Sequence, residues 1–273
     1  MESLEPKKDF EKIGIIYNPK KREAKKLIFE IEQWGMKSSK EIYFINENNI
    51  RDIDLVFAIG GDGTVLYALQ QVAKHNIPVL GINTGRLGFL TTFEGKEVRR
   101  IFDALENGEF FIEKHPVIEA NIKTKNLSFY VYNELVLLKA ENTPLVSFDM
   151  FYGNDSITTS PADGIIIATA SGSTAYALSA GGPVLFPELE AFEILPICAH
   201  SLSSRPLIFS FDRELSLFVK RKWQIELWID GKQVDLIGKD DNIVIKKAPF
   251  HAELIFFKGW EFFKRLKKKL HWR

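Results

Sequence analysis

Residues 54–64 read Asp-Leu-Val-Phe-Ala-Ile-Gly-Gly-Asp-Gly-Thr, an apolar run that breaks into three glycines around one carboxylate. The run Leu55–Ile59 is short and partly β-branched, as a strand buried on both faces should be. Beyond Thr64, apolar residues fall at Val65, Ala68, Leu69, Val72 and Ala73, which is helical spacing. A strand, a glycine turn and a helix in direct succession point to a parallel sheet that takes ligands at the carboxyl ends of its strands. Glycines there let a ligand approach the backbone, and the N–H groups of a helix start favour phosphate. A carboxylate in that setting suits accepting a proton or facing a metal-bound phosphate. The plainer alternative is a tight Asp-Gly turn.

The rest of the first hundred residues keeps this pattern. Ile13–Tyr17, Glu41–Ile45, Leu55–Ile59 and Val79–Ile82 read as strands, with helices over Lys20–Trp34 and Val65–His75. From about residue 115 the pattern changes to alternating, strand-like runs, among them Phe129–Leu138, Leu145–Phe151, Ile165–Thr169 and Gln224–Ile229. Asp230-Gly231 supplies a strong hairpin signal and Thr174–Ala180 a helical insertion. The fold class expected is α/β plus all-β: a Rossmann-like parallel-sheet domain over 1–100, an antiparallel β-sandwich domain over 101–250, and a C-terminal strand and basic amphipathic helix over 251–273 packing back on the body. On that last helix Trp260, Phe263, Leu266 and Leu270 form the apolar side, with Lys264, Arg265 and Lys267–Lys269 solvated.

Composition narrows the function classes. Lys+Arg and Asp+Glu both number 36, so the net charge of zero speaks against bulk attraction to nucleic acid or membrane. The single cysteine, Cys198, excludes an internal disulfide and reads as a small buried hydrophobe. The five histidines have no metal-site spacing. The first residues hold no apolar signal segment and no run nears the ~18 apolar residues of a membrane span, so a cytoplasmic protein is expected. A G-x-x-x-x-G-K-[ST] loop and a strict G-x-G-x-x-G are both missing, which excludes a P-loop enzyme and weakens a dehydrogenase reading.

Further clusters carry chemistry. Gly81-Ile-Asn83-Thr-Gly-Arg-Leu87-Gly-Phe89-Leu is a second glycine-punctuated turn directly after a strand. Asn133-Glu134 sits in an otherwise apolar run, where unpaired polar groups cost roughly 1–3 kcal/mol each. The two side chains either satisfy neighbours or wait for a polar ligand such as a ribose. Pro161-Ala-Asp163-Gly leads through a strand to Ser171-Gly-Ser-Thr174-Ala175-Tyr176-Ala177-Leu178-Ser179-Ala-Gly-Gly-Pro183. Its hydroxyls suit helix N-caps and nucleotide contacts equally.

Together these motifs resemble the NAD kinase family over roughly residues 13–260. Gly60-Gly-Asp-Gly-Thr64, Asn133-Glu134, Asp163-Gly164, Ser171–Tyr176 and Ala180–Pro183 stand in the family's order, and Gly81–Phe89 and Leu202–Pro206 fit as well. The resemblance implies transfer of the γ-phosphate of ATP to the 2′-hydroxyl of the adenosine ribose of NAD, giving NADP. It implies a divalent metal, Mg²⁺ foremost, carried with ATP, and assembly as a homodimer or homotetramer. By the same resemblance Asp62 is the proton acceptor, with Gly61 and Gly63 beside the substrate. Asn133 and Glu134 correspond to the ribose pair, and Asp163 to a contact on the nicotinamide side. Thr174, Ala175, Tyr176, Ala177, Leu178 and Ser179 form the adenine-side loop. Asn83, Phe89, Ser171 and Gln233 complete the nucleotide-binding set, with Lys232 competing for the place of Gln233.

The chain departs from the family pattern at Pro144 and Pro161, where many relatives carry basic residues. Both departures bear on whether NADH is accepted alongside NAD. Two other functions share parts of these motifs. A kinase of the same fold acting on a lipid or another alcohol would keep Gly60–Thr64 but lack the Asn133-Glu134 and Ser171–Tyr176 combination. A non-catalytic NADP-binding sensor would not need Asp62.

Overall fold

The computed structural model describes residues 10–45, 50–85, 88–94, 97–141, 143–159, 161–201, 203–220 and 224–271. Leu87 and Leu202, which belong to two of the motifs, and the N-terminal Met1–Asp9 lie outside them. The chain forms two compact units, one running to Lys114 and resuming at His251, the other spanning His115–Phe250.

The first unit begins with β1 (Lys12–Tyr17), α1 (Arg22–Lys37), β2 (Glu41–Phe44), β3 (Leu55–Gly60), α2 (Asp62–Val72), β4 (Val79–Asn83), β5 (Phe93–Glu94) and α3 (Val98–Asn107). The strands pair in parallel in the order β2-β1-β3-β4, with β5 beside β4. Every residue of β3 is buried, as its unbroken apolar run demands. Helix α1 buries Ala24, Leu27, Ile31 and Trp34, and α2 buries Val65, Ala68, Leu69 and Val72, so each lays one stripe on the sheet. The boundary expected at residue 100 falls inside α3, because Val98, Ile101, Phe102 and Leu105 complete the apolar core of this first unit.

The second unit takes up β6 (Phe110–Ile122) from His115 onward and adds β7 (Leu127–Val131), β8 (Glu134–Lys139), β9 (Phe148–Tyr152), β10 (Asp155–Thr158) and β11 (Gly164–Thr169). A 3₁₀ turn at Ser171–Thr174 and the short α4 (Tyr176–Ser179) follow. Next come β12 (Ala191–Ile197), β13 (Leu207–Ser210), β14 (Leu215–Val219), β15 (Ile225–Ile229), β16 (Lys232–Ile237) and β17 (Asn242–Phe257). One antiparallel sheet runs β13-β12-β11-β8-β15-β16; β10-β9-β14 with β17, β6 and β7 form the other, with alternate residues of both filling one core. The strand expected over Phe129–Leu138 is two strands broken at Tyr132-Asn133. Asp230-Gly231 closes a two-residue hairpin with φ of +47° and +77°, the type I′ turn the sequence signals.

The end of β17 returns the chain to the first unit, where Leu254 pairs in parallel with Val79, and α5 (Phe262–Leu270) follows. Its buried residues are Phe262, Arg265 and Leu266, while Phe263 is exposed. This corrects the expected stripe. Arg265 goes inside because Glu113 takes its guanidinium through two bonds, Nη1–Oε1 at 3.1 Å and Nη2–Oε2 at 2.8 Å, and the Phe256 ring lies 3.7 Å from the guanidinium carbon. Cys198 is exposed and holds a φ of +48°, contrary to the buried role expected of it.

Candidate active site

In the first unit the glycine turn is tighter than a loop. Gly61 caps α2 and Asp62 is its first helical residue, so the carboxylate stands at the start of the helix rather than ahead of it. Its position is fixed by the segment after β4: Phe89 N–H donates to Asp62 Oδ2 at 2.8 Å and Leu90 N–H to Oδ1 at 3.1 Å. Gly88 makes that approach possible, since a Cβ there would stand 1.7 Å from Asp62 Oδ1. Nothing lies within 4 Å of where side chains would begin at Gly61 and Gly63, which leaves the backbone on either side of Asp62 approachable. Buried Asn83 uses its amide within the segment, accepting from Gly85 N–H at 2.6 Å and reaching Thr91 Oγ1 at 3.4 Å. Thr91 Oγ1 in turn accepts the Gly88 N–H at 2.9 Å. Asn83 thus braces the segment that holds Asp62.

In the second unit a bend at Tyr132-Asn133 joins β7 to β8. The Asp230 carboxylate, buried at the hairpin tip, takes the backbone N–H groups of Tyr132 (3.2 Å), Asn133 (2.7 Å) and Glu134 (3.3 Å). Thr169, at the end of β11, holds the other side: its hydroxyl donates to Tyr132 C=O at 2.7 Å and its N–H to Asn133 C=O at 2.9 Å. The same hydroxyl accepts from Gly172 N–H at 3.0 Å, which ties the 171–174 turn to the bend. Sequence reasoning took Asp230 for an ordinary hairpin residue and passed over Thr169. Both act through backbone groups, which leave no side-chain pattern to read.

Glu134 is 7% exposed, and its Oε2 has no hydrogen-bond partner among the described residues. Burial, reinforced by the Asp230 charge, pushes its carboxyl up to about 7, while the Tyr176 backbone N–H pulls the other way. Burial and Asp230 likewise raise the Tyr132 phenol. Ser171 Oγ lies 3.2 Å from Nδ1 of buried His115, a partner with no signature in residue type or spacing. The expected Ser/Thr cap of α4 does not form. Ser173 Oγ donates back to Ala170 C=O at 2.7 Å and Thr174 Oγ1 to Ser171 C=O at 3.1 Å, so both hydroxyls tighten the 3₁₀ turn. After it, Ala177 is buried while Tyr176 and Ser179 are exposed, with Ala175 and Leu178 half-buried.

The register of the antiparallel sheet sorts the remaining residues. Gln233 pairs with Trp228, whose side chain packs on the α4 face, whereas Lys232 pairs with Ile229 of the sandwich core. Gln233 therefore shares a face with Glu134 and α4. Asp163 stands just before β11, at the opposite end of that strand from Ser171, where its carboxylate meets Lys139 Nζ at 3.3 Å. It is not brought together with Asn133 and Glu134. Among the described residues no three His, Cys, Asp or Glu side chains converge as a metal-ligand set.

Residues 16–110 match the family model for the ATP-NAD kinase N-terminal domain, and 132–257 that for the ATP-NAD kinase C-terminal domain. The NAD kinase of Carboxydothermus hydrogenoformans is 40% identical over 234 residues, covering 84% of this chain and 83% of its own. That of Clostridium botulinum strain Loch Maree is 33% identical over 272 residues and 96% of each chain. The crystal structure of an NAD kinase from Archaeoglobus fulgidus in complex with ATP superposes with a TM-score of 0.78 at 28% identity, over 96% of this chain and 99% of that one. Yeast NADH kinase complexed with NADH gives 0.86 at 22% identity, over 96% and 88%, a likeness of fold. With both of its family models matched and relatives aligned along nearly its whole length, the chain belongs to the NAD kinase family of phosphotransferases.

Proposed function

We propose that this chain transfers the γ-phosphate of ATP to the 2′-hydroxyl of the adenosine ribose of NAD, giving NADP, with Asp62 as general base. The observation that carries the reading is the Asp62 carboxylate, held at the start of α2 by the Phe89 and Leu90 N–H groups between two glycines open to approach. In the step, the 2′-oxygen bonds to the γ-phosphorus as the bridging P–O bond to ADP breaks, and the hydroxyl proton passes to Asp62. A base so placed contributes typically ~10²–10⁴-fold, with positioning and charge stabilisation supplying the rest. A divalent metal, Mg²⁺ foremost, would be carried by ATP and would supply neutralisation of the phosphate charge.

Asn133 and Glu134 take the adenosine ribose. The bend is pinned through its backbone, which leaves the Asn133 side chain and Glu134 Oε2 to the ligand. Ser171 and the run Thr174–Ser179 hold the adenine side, and Gln233 joins them from the Trp228 face. Asp163, at the far end of β11, is assigned to the nicotinamide side instead. Assembly as a homodimer or homotetramer follows from the resemblance, and the cytoplasm is the default location we assign; no helix among the described residues is long and apolar enough to cross a membrane. Gel filtration tests the assembly.

The deciding experiment is NADP formation from NAD, ATP and Mg²⁺, read with an NADP-specific dehydrogenase, for the natural protein and Asp62→Asn. Turnover lost in the variant with NAD binding retained supports both the reaction and the base. Tight NADP binding without turnover on any nucleoside triphosphate or polyphosphate would overturn the kinase reading and leave a sensor.

A further inference from the structure

Glu193, in the middle of β12, is fully buried, and neither of its carboxyl oxygens has a hydrogen-bond partner among the described residues. It pairs across the strands with Ala168, which pairs on its other side with Glu134, so the two carboxyls flank Ala168 on one face of the sheet. Over that row lies the segment 176–182. Buried Ala177 packs with Ala168 and Leu195, Tyr176 N–H faces the Glu134 carboxyl, and Gly182 N–H closes the arch on Ala177 C=O at 2.9 Å. The far foot of the arch rests on Glu193. A Cβ on Gly182 would meet Leu195 Cδ2 at 2.5 Å, Ala177 O at 3.0 Å and Glu193 Oε2 at 3.1 Å, so only a bare backbone fits over the carboxyl.

A buried carboxyl with no donor from the protein is tolerated when neutral, whereas its ionised form requires solvent. Burial alone pushes Glu193 up to about 7. The titratable side chains on the surrounding elements are few: Glu134 on β8, across Ala168; Lys139 at the far end of β8, where it meets Asp163 at 3.3 Å; and Tyr176 on α4. β11, β13 and residues 180–183 carry no charged side chain at all. Lys139, the cation on β8, is engaged by Asp163 at the opposite end of the strand, so the route of an ionised Glu193 to water is to lift the arch that covers it.

We propose that Glu193 is a positioning residue for the nucleotide-binding arch 176–182: the protonated carboxyl seats the arch, and release of its proton to solvent unseats it. The proposal rests on the assignment of Thr174–Ser179 to the nucleotide. It makes NAD affinity depend on pH through a side chain that does not touch NAD.

The test compares the natural protein with Glu193→Gln and with Glu193→Met, the second an apolar replacement of similar length, by calorimetric titration of NAD between pH 6 and 8. The ratio of natural to variant affinity is expected to fall about tenfold across that range, the linkage for one proton released at a value near 7. Titration of Glu134 is common to all three proteins and cancels. A ratio independent of pH overturns the proposal. Hydrogen exchange at the 176–182 amides without nucleotide separates it from the NAD assignment. Exchange equal at pH 6 and several-fold faster in the natural protein than in Glu193→Met at pH 8 supports it, whatever the ligand; equal rates at both pH values overturn it.

Discussion

Asp230 Oδ1 accepts the Asn133 backbone N–H at 2.7 Å, joining residues 97 positions apart, and the same carboxylate reaches the N–H groups on either side. One buried side chain thereby sets the direction of two others, Asn133 and Glu134. Asp230→Asn keeps a residue tolerant of the left-handed φ of +47° but loses the charge, and is expected to cost about 1–2 kcal/mol in urea unfolding. Asp230→Ala leaves the three donors without their acceptor and is expected to cost about 3 kcal/mol or more. NAD affinity, measured calorimetrically, should fall in the same order.

Gly88→Ala places a methyl group where Asp62 Oδ1 now lies. Overpacking of this kind costs roughly 1–3 kcal/mol, but the larger effect is expected in catalysis, because the carboxylate must swing off its two donors. Turnover should drop by about 10² or more with NAD binding little changed. Parallel loss of binding and turnover would show that the 88–90 segment serves affinity instead.

Arg265 and Glu113 form a pair in which both side chains are buried. Removing one partner strands the other charge, so Arg265→Met and Glu113→Leu are each expected to cost about 3–5 kcal/mol. The double variant should recover much of that loss, because no charge remains. Arg265→Lys is not expected to rescue, since an ammonium neither forks onto both carboxylate oxygens nor stacks flat on Phe256. Chemical denaturation of the four proteins checks the cycle.

The two raised carboxyls give stability a definite sign with pH. Glu134 and Glu193 hold protons in the folded state up to about 7, while in the unfolded chain they lose them near 4.5. The folded state therefore binds more protons across that interval. Stability falls as pH rises through it and levels off above about 7. Glu261, held down to about 2 chiefly by backbone N–H groups, acts in a separate window, supporting stability above the ordinary carboxylate range and losing it only as pH falls toward 2. His75, lowered chiefly by burial, acts oppositely below the ordinary histidine range. The natural protein is accordingly compared with Glu193→Gln, which cancels the histidine: the difference in urea-unfolding free energy should change by on the order of 2–3 kcal/mol between pH 5 and 8. A constant difference would mean that Glu193 is already solvated.

The parallel sheet was legible because its periodicities are strong: β3 is apolar throughout, and α1 and α2 each keep one buried stripe. The hairpin at Asp230-Gly231 was legible from turn chemistry alone. The break at Tyr132-Asn133 was not, since its cause is a carboxylate from a distant hairpin and a threonine from another strand. The inward turn of Arg265 escaped for the same reason, its partner Glu113 being 152 residues away. Asp62, Asn133, Glu134 and Ser171–Ser179 stood out by residue type, whereas the groups that aim them, Asp230, Thr169 and the Phe89 and Leu90 amides, are ordinary in sequence. Glu193 is one glutamate in a strand of otherwise apolar residues, and only the sheet register reveals what covers it.

The bend at Tyr132–Glu134 is held by groups of the protein itself, the Asp230 carboxylate and the Thr169 hydroxyl. Ordering backbone costs roughly 1–2 kcal/mol per residue, and for Tyr132–Glu134 that loss of freedom is incurred once, during folding. A molecule docking there meets a finished mould, and the contacts it makes count toward affinity undiminished by loop closure. On the proposed assignment of Asn133 and Glu134 to the ribose, residence time at this bend depends on how firmly the protein is folded around Asp230 as much as on the groups that face the nucleotide.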